Sequence, residues 1–79
     1  MEETTLNAAV VGAVLAGIRE RKGLSQEVVS GLAGIGRTHL SAIERGARKP
    51  TLETFFRLCQ ALGEKPSGVL ALIEEKTLS

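Results

Sequence analysis

Two helix signals separated by only three residues constrain this chain more than any other feature. Between residues 26 and 45 it reads QEVVSGLAGIGRTHLSAIER. Ser25 is a good N-cap, and Glu27 falls in the first turn, where the helix dipole favours a carboxylate. Val29, Leu32 and Ala33 give the first helix an apolar face. Gly34-Ile35-Gly36 then breaks it. Gly34 can take the positive φ that ends a helix, and Ile35 can turn its side chain inward. A second helix starts near Arg37. Its apolar positions, Leu40 and Ile43, are three apart and define one buried face. Arg37, Thr38, Ser41 and Ala42 are left looking outward, and Gly46 ends the helix.

The flanking sequence supplies three more helices. Residues 1–5 are polar and expected to fray. Leu6, Val10, Val14 or Leu15, and Ile18 recur at helical spacing and predict a helix over residues 6–22. Val11 and the small residues Ala8, Ala9, Ala13, Ala16 and Gly17 widen its apolar face. Its first turns are expected to pack on a partner rather than on the core. Gly23 closes this helix, and Leu24 turns back inward. Beyond Gly46 the chain is basic, with Arg48 and Lys49, and Pro50 stops a helix from running through. Thr51 caps a helix over residues 52–62, with Leu52, Phe55, Leu58, Cys59 and Leu62 inside and Phe56 to one side. Gly63 closes it. Pro66-Ser67 opens a fifth helix carrying Val69, Leu70, Leu72 and Ile73. The expected fold class is therefore all-α: five helices around one core, a single domain over residues 1–79.

The features at residues 25–50 resemble the helix-turn-helix of the phage repressor and Cro family. The residues that carry the resemblance are Ser25-Gln26, Gly34-Ile35, Leu40, and Ile43-Glu44-Arg45-Gly46 followed by Pro50, and the match extends over about residues 12–72. The departures are mild. Ser30 stands where the family usually has Ala, Gly31 costs a helix about 0.5–1 kcal/mol relative to Ala, and Gly36 is a weak cap. At this size, with no added sensor domain, the chain looks most like the small restriction–modification controller proteins. A phage Cro-like repressor or a toxin-neutralising antitoxin is the close alternative. The resemblance implies a cytoplasmic transcriptional regulator that binds double-stranded DNA sequence-specifically, as a homodimer on a palindromic operator. RNA polymerase or a cognate toxin are the further partners left open. It also implies that Arg19, ending the first helix, meets Glu44, ending the third, as a structural ion pair.

Net charge is only +1, yet its distribution suits DNA. Residues 19–49 hold seven basic and three acidic side chains, whereas both flanks are slightly acidic. The basic groups therefore gather around the two-helix stretch, as a footprint on phosphate requires. The N-terminal residues of a helix lying in the major groove reach base edges. Arg37, Thr38 and Ala42 are thus the candidate base contacts. The Arg37 fork suits guanine O6 and N7, Thr38 offers a hydroxyl or methyl, and Ala42 offers apolar contact. Gln26, His39, Ser41, Arg45, Arg48, Lys49 and Thr51 are the candidate phosphate contacts.

A single reading helix contacts few base pairs, so a two-fold dimer is expected. Its interface is placed at residues 53–78, on Phe56, Val69, Leu70, Leu72 and Ile73. The competing reading is a helical protein-interaction module without DNA binding, using those same exposed apolar residues. Catalysis is a poor fit. The chain has one His, one Cys, and no Asp, Tyr or Trp. His39 and Cys59 fall on different helices, too few for a zinc shell, and the glycines match no phosphate loop. No cofactor and no ligand pocket are evident. A lone cysteine allows no internal disulfide, and no apolar run approaches the roughly 18–20 residues of a membrane span.

Overall fold

The computed structural model describes residues 5–78 and contains five helices: α1 (Ala8–Arg21), α2 (Gln26–Ala33), α3 (Arg37–Glu44), α4 (Leu52–Leu62) and α5 (Pro66–Leu78). No strand occurs among the described residues, so the all-α expectation holds. Residues 1–4 of the stretch expected to fray lie outside the described residues.

Local chemistry sets each boundary. α1 begins two residues later than its periodicity predicts because Asn7 caps it, its Oδ1 accepting from the Ala9 and Val10 amides at 2.8 and 3.3 Å. Ser25 caps α2 through Val28 N at 3.1 Å, and Thr51 caps α4 through Thr54 N at 3.0 Å. Gly34 ends α2 at φ 72°, a conformation that costs glycine no Cβ clash. Pro66 is the first residue of α5, where its missing N–H costs nothing.

The core is one cluster drawn from all five helices. Leu15, Val29, Leu40, Ile43, Leu58, Cys59, Val69 and Ile73 are its most completely buried members. α2 packs on α4, while α1 lies against both α3 and α5. Three sequence expectations are corrected here. Leu32 is 67% exposed and Leu52 72% exposed. In α2 the buried stripe is Val29, Ser30 and Ala33. Val29 and Ala33 sit one above the other, so Leu32 leans off that line. Ser30, with its Oγ donating to the Glu27 carbonyl at 3.2 Å, takes the inward place. Leu52 is the first residue of α4 and projects past the end of the core.

The third correction concerns α1. Its first turns do reach the core of the protomer, Val11 and Gly12 being buried, while Leu6 and Ala9 stay exposed. The cause is close approach of backbones. A Cβ on Gly12 would overlap the carbonyl oxygens of Ile43 and Glu44, and one on Gly46 would come within 2.8 Å of Ala9 Cα. Two glycines thus let α1 lie directly on the last turn of α3.

Candidate nucleic-acid interface

α3 buries Leu40 and Ile43 and turns the opposite face to solvent. Arg37 and Thr38 are exposed at its start, with Ser41 and Ala42 half-buried one turn on and Arg45 exposed at its end. These side chains recur at helical spacing and share one outward face. Gly36, the N-cap, makes no side-chain bond to the first turn.

The other end of α3 is held firmly. Glu44 is only 7% exposed in its side chain, and Arg19 of α1 13%. Arg19 Nε and Nη2 donate to the two Glu44 oxygens at 2.7 and 3.0 Å, a bidentate pair, and Nη1 donates to the Leu24 carbonyl at 2.7 Å. Hydrogen bonding to Glu44 raises the Arg19 pKa above its ordinary value against the opposing pull of burial. Gln26, the first residue of α2, completes the cluster by donating Nε2 to Glu44 Oε1 at 2.8 Å.

The basic residues divide into two sets. Arg19 is consumed by Glu44, and Lys22 pairs with Glu64 at 2.9 Å. Arg37, Arg48 and Lys49 are exposed and carry no ion pair among the described residues, and Arg45 reaches only the Ser41 hydroxyl at 3.3 Å. Uncommitted positive charge therefore lies along α3 and the loop that follows it, with Arg21 at the end of α1 and Lys65 before α5 also exposed and without an ion pair among the described residues. That loop is pinned to α3 by the Ala47 and Arg48 amides, which donate to the Ala42 carbonyl at 2.9 and 3.3 Å.

The remaining sequence candidates are less uniformly placed. His39 is half-buried at the edge of the outward face. The Thr51 hydroxyl is engaged within its own cap, donating to Thr54 Oγ1 at 3.0 Å. Gln26 has its amide nitrogen directed to Glu44 rather than to open solvent. Among the α5 residues, Val69 and Ile73 are core, each 1% exposed, which corrects their expected place as exposed interface residues. Leu70, Leu72 and Phe56 remain exposed.

Two features escaped the sequence reading. Gly12 carried a signal, a glycine in mid-helix, that periodicity alone passes over. The other is an apolar cleft of about 410 Å³ between the residues before α1, the start of α4 and α5. Leu6, Leu52, Phe56 and Leu70 line it, with Lys49 and Thr51 on its rim. It is made by three segments distant in sequence, so no local pattern announces it.

Comparison with known proteins agrees with this geometry. The family model described as Helix-turn-helix matches residues 15–69. A chain of Sinorhizobium fredii named an uncharacterized HTH-type transcriptional regulator, y4dJ, is 46% identical over 54 residues, spanning 68% of this chain and 70% of that one. The restriction–modification controller protein C.AhdI from Aeromonas hydrophila superposes with a TM-score of 0.77 at 32% identity, over 82% of this chain and 98% of its own. The clp gene regulator ClgR from Corynebacterium glutamicum superposes at 0.83 and 27% identity, over 94% and 95%.

Proposed function

The chain belongs to the helix-turn-helix family of DNA-binding transcriptional regulators, and from that premise we propose that it acts as a homodimer on a palindromic operator, in the manner of a small controller protein. The observation that carries this reading is the unpaired basic face: Arg37 on α3, with Arg48 and Lys49 in the next loop, while Arg19 and Lys22 are paired with Glu44 and Glu64. Arg37, Thr38 and Ala42 read base edges in the major groove. His39, Ser41, Arg45, Arg48 and Lys49 contact the phosphates on either side, and Thr51 contributes through its backbone. Residues 26–45 form the reading unit of one domain, and the dimer surface lies within residues 53–78.

That surface takes in the apolar cleft with its exposed border of Phe56 and Leu70, and the exposed Leu72 of the same helix. Burying such a patch against its two-fold copy removes the largest exposed aromatic from water. Symmetry then sets the two α3 helices about 34 Å apart, facing successive major grooves. A protein-interaction module with no DNA role is separated from this reading by a salt titration on non-cognate duplex. Binding that weakens linearly in log salt with a slope of several units supports the DNA reading. A protein that binds no duplex at low salt contradicts it.

A further inference from the structure

We propose that the apolar cleft beside α4 and α5 binds a small amphipathic monocarboxylate, and that this ligand competes with the second protomer and so releases the operator. The inference rests on the reading that the cleft is part of the dimer surface. The floor of the cleft is buried apolar side chain: Val11 of α1, Phe55 of α4 and Ile73 of α5. Leu52, Phe56 and Leu70 rise around it and stay largely exposed. Its volume of about 410 Å³ lies within the roughly 300–1,000 Å³ of ordinary small-ligand sites.

Charge decides what such a site takes. Among the described residues, Lys49 is the one charged side chain in the lining, and it is exposed with no ion pair. No carboxylate offsets it. Glu53, in the first turn of α4, lies outside the lining and is paired with Arg57 at 2.8 Å. α4 and α5 both begin at the cleft, so the positive ends of two helix dipoles add to the Lys49 charge. The Ser67 hydroxyl, also in the lining, makes no hydrogen bond among the described residues, whereas the Thr51 hydroxyl is held in its own cap. An apolar floor with one cation and one free hydroxyl above it fits an aliphatic tail with an anionic head. A neutral apolar molecule leaves Lys49 unused, and a cation is repelled. A ligand seated there occupies the surface that the second protomer must cover, so the two exclude each other. Lys49 is also a proposed phosphate contact, and pairing with a carboxylate withdraws it from DNA.

Octanoate is the probe, with 1-octanol as the neutral tail and acetate at equal ionic strength as the head alone. Titrated into wild type at a protein concentration where monomer is populated, octanoate is expected to move the amide NMR shifts of residues 49–56 and 66–70, with a dissociation constant of about 1 mM or tighter. 1-Octanol binds there about tenfold more weakly, and Lys49→Met, a change at an exposed position, removes the difference between the two. In sedimentation equilibrium, octanoate at about ten times its dissociation constant raises the apparent dimer dissociation constant about 100-fold, because each of two protomers must release a ligand. It also weakens binding to the duplex that wild type selects from a random pool, and acetate does neither. Equal affinity for octanoate and 1-octanol, or a preference that survives in Lys49→Met, means that the head is not recognised and overturns the proposal. Octanoate that leaves these shifts unmoved at about 10 mM, or that binds without shifting the monomer–dimer equilibrium, overturns it as well. A wild-type protein that is monomeric at every concentration before any ligand is added fails the dimer reading itself, and the proposal with it.

Discussion

Arg37 opens α3, is exposed, and has no partner within the described residues. On the proposed assignment Arg37→Ala costs ~1–3 kcal/mol at the cognate site and relaxes preference at one base pair. Affinities across single-base operator variants check this, and uniform weakening reassigns Arg37 to phosphate. Cys59 belongs to the other class of residue, one whose chemistry is silenced by the core. Burial, with a smaller contribution from the Glu64 charge, pushes its thiol from 9.0 up to about 11. Below pH 9 the thiol is neutral in both the folded and the unfolded chain. Between pH 9 and 11 the unfolded chain ionises while the folded one keeps its proton, so stability falls through that window. Urea unfolding at pH 8 and pH 10.5 should accordingly show a smaller alkaline loss in Cys59→Ala than in wild type; an equal loss contradicts the assignment. The sequence made Cys59 legible as core because it sits among leucines at helical spacing. It did not reveal that the Gln26 amide turns to Glu44, since that bond joins residues 18 apart through a fold not yet known. The Arg19–Glu44 pair was legible only through family resemblance.

At the scale of the helix, the decisive contacts are backbone on backbone. Gly12 and Gly31 both lie inside helices, where alanine is ordinarily better by about 0.5–1 kcal/mol. Their surroundings reverse the order at one of them. Nothing lies within 4 Å of a Cβ built on Gly31, whereas at Gly12 it meets the carbonyls that end α3. Thermal unfolding should therefore show Gly31→Ala stabilising by about 0.5–1 kcal/mol and Gly12→Ala destabilising by about 1–3 kcal/mol. Gains in both would mean that α1 and α3 are not in contact. The ion pair across the same junction gives a second check. Arg19→Ala or Glu44→Ala alone should cost about 3–5 kcal/mol by leaving one buried charge unpaired, and the double variant less than their sum. Additivity would show that the two do not meet. Helix positions were largely readable, since caps and closing glycines are local. Helix faces were less so. Leu32 and Leu52 fit an apolar stripe on paper, but α4 and the end of the core decided which side of each helix was covered.

For the molecule as a whole, the unexplained surface is the apolar cleft bordered by Phe56, which is 53% exposed. The sequence marked Phe56 and Leu70 as outward but grouped Val69 and Ile73 with them. Four apolar residues within five positions of α5 point in several directions, and only the packed fold tells which pair seals the core. With the cleft as the dimer surface, Phe56→Asp yields a folded monomer in sedimentation equilibrium at micromolar concentration, with weakened operator binding. A variant that stays dimeric places the interface elsewhere. The account as a whole stands on two α3 helices, one per protomer, reading successive major grooves from a basic face. Selection of bound sites from a random duplex pool tests this most directly. The predicted result is a palindromic consensus whose half-sites are centred about 10–10.5 base pairs apart or a multiple of that. Recovery of no enriched sequence, or of a single unpaired half-site, would contradict it.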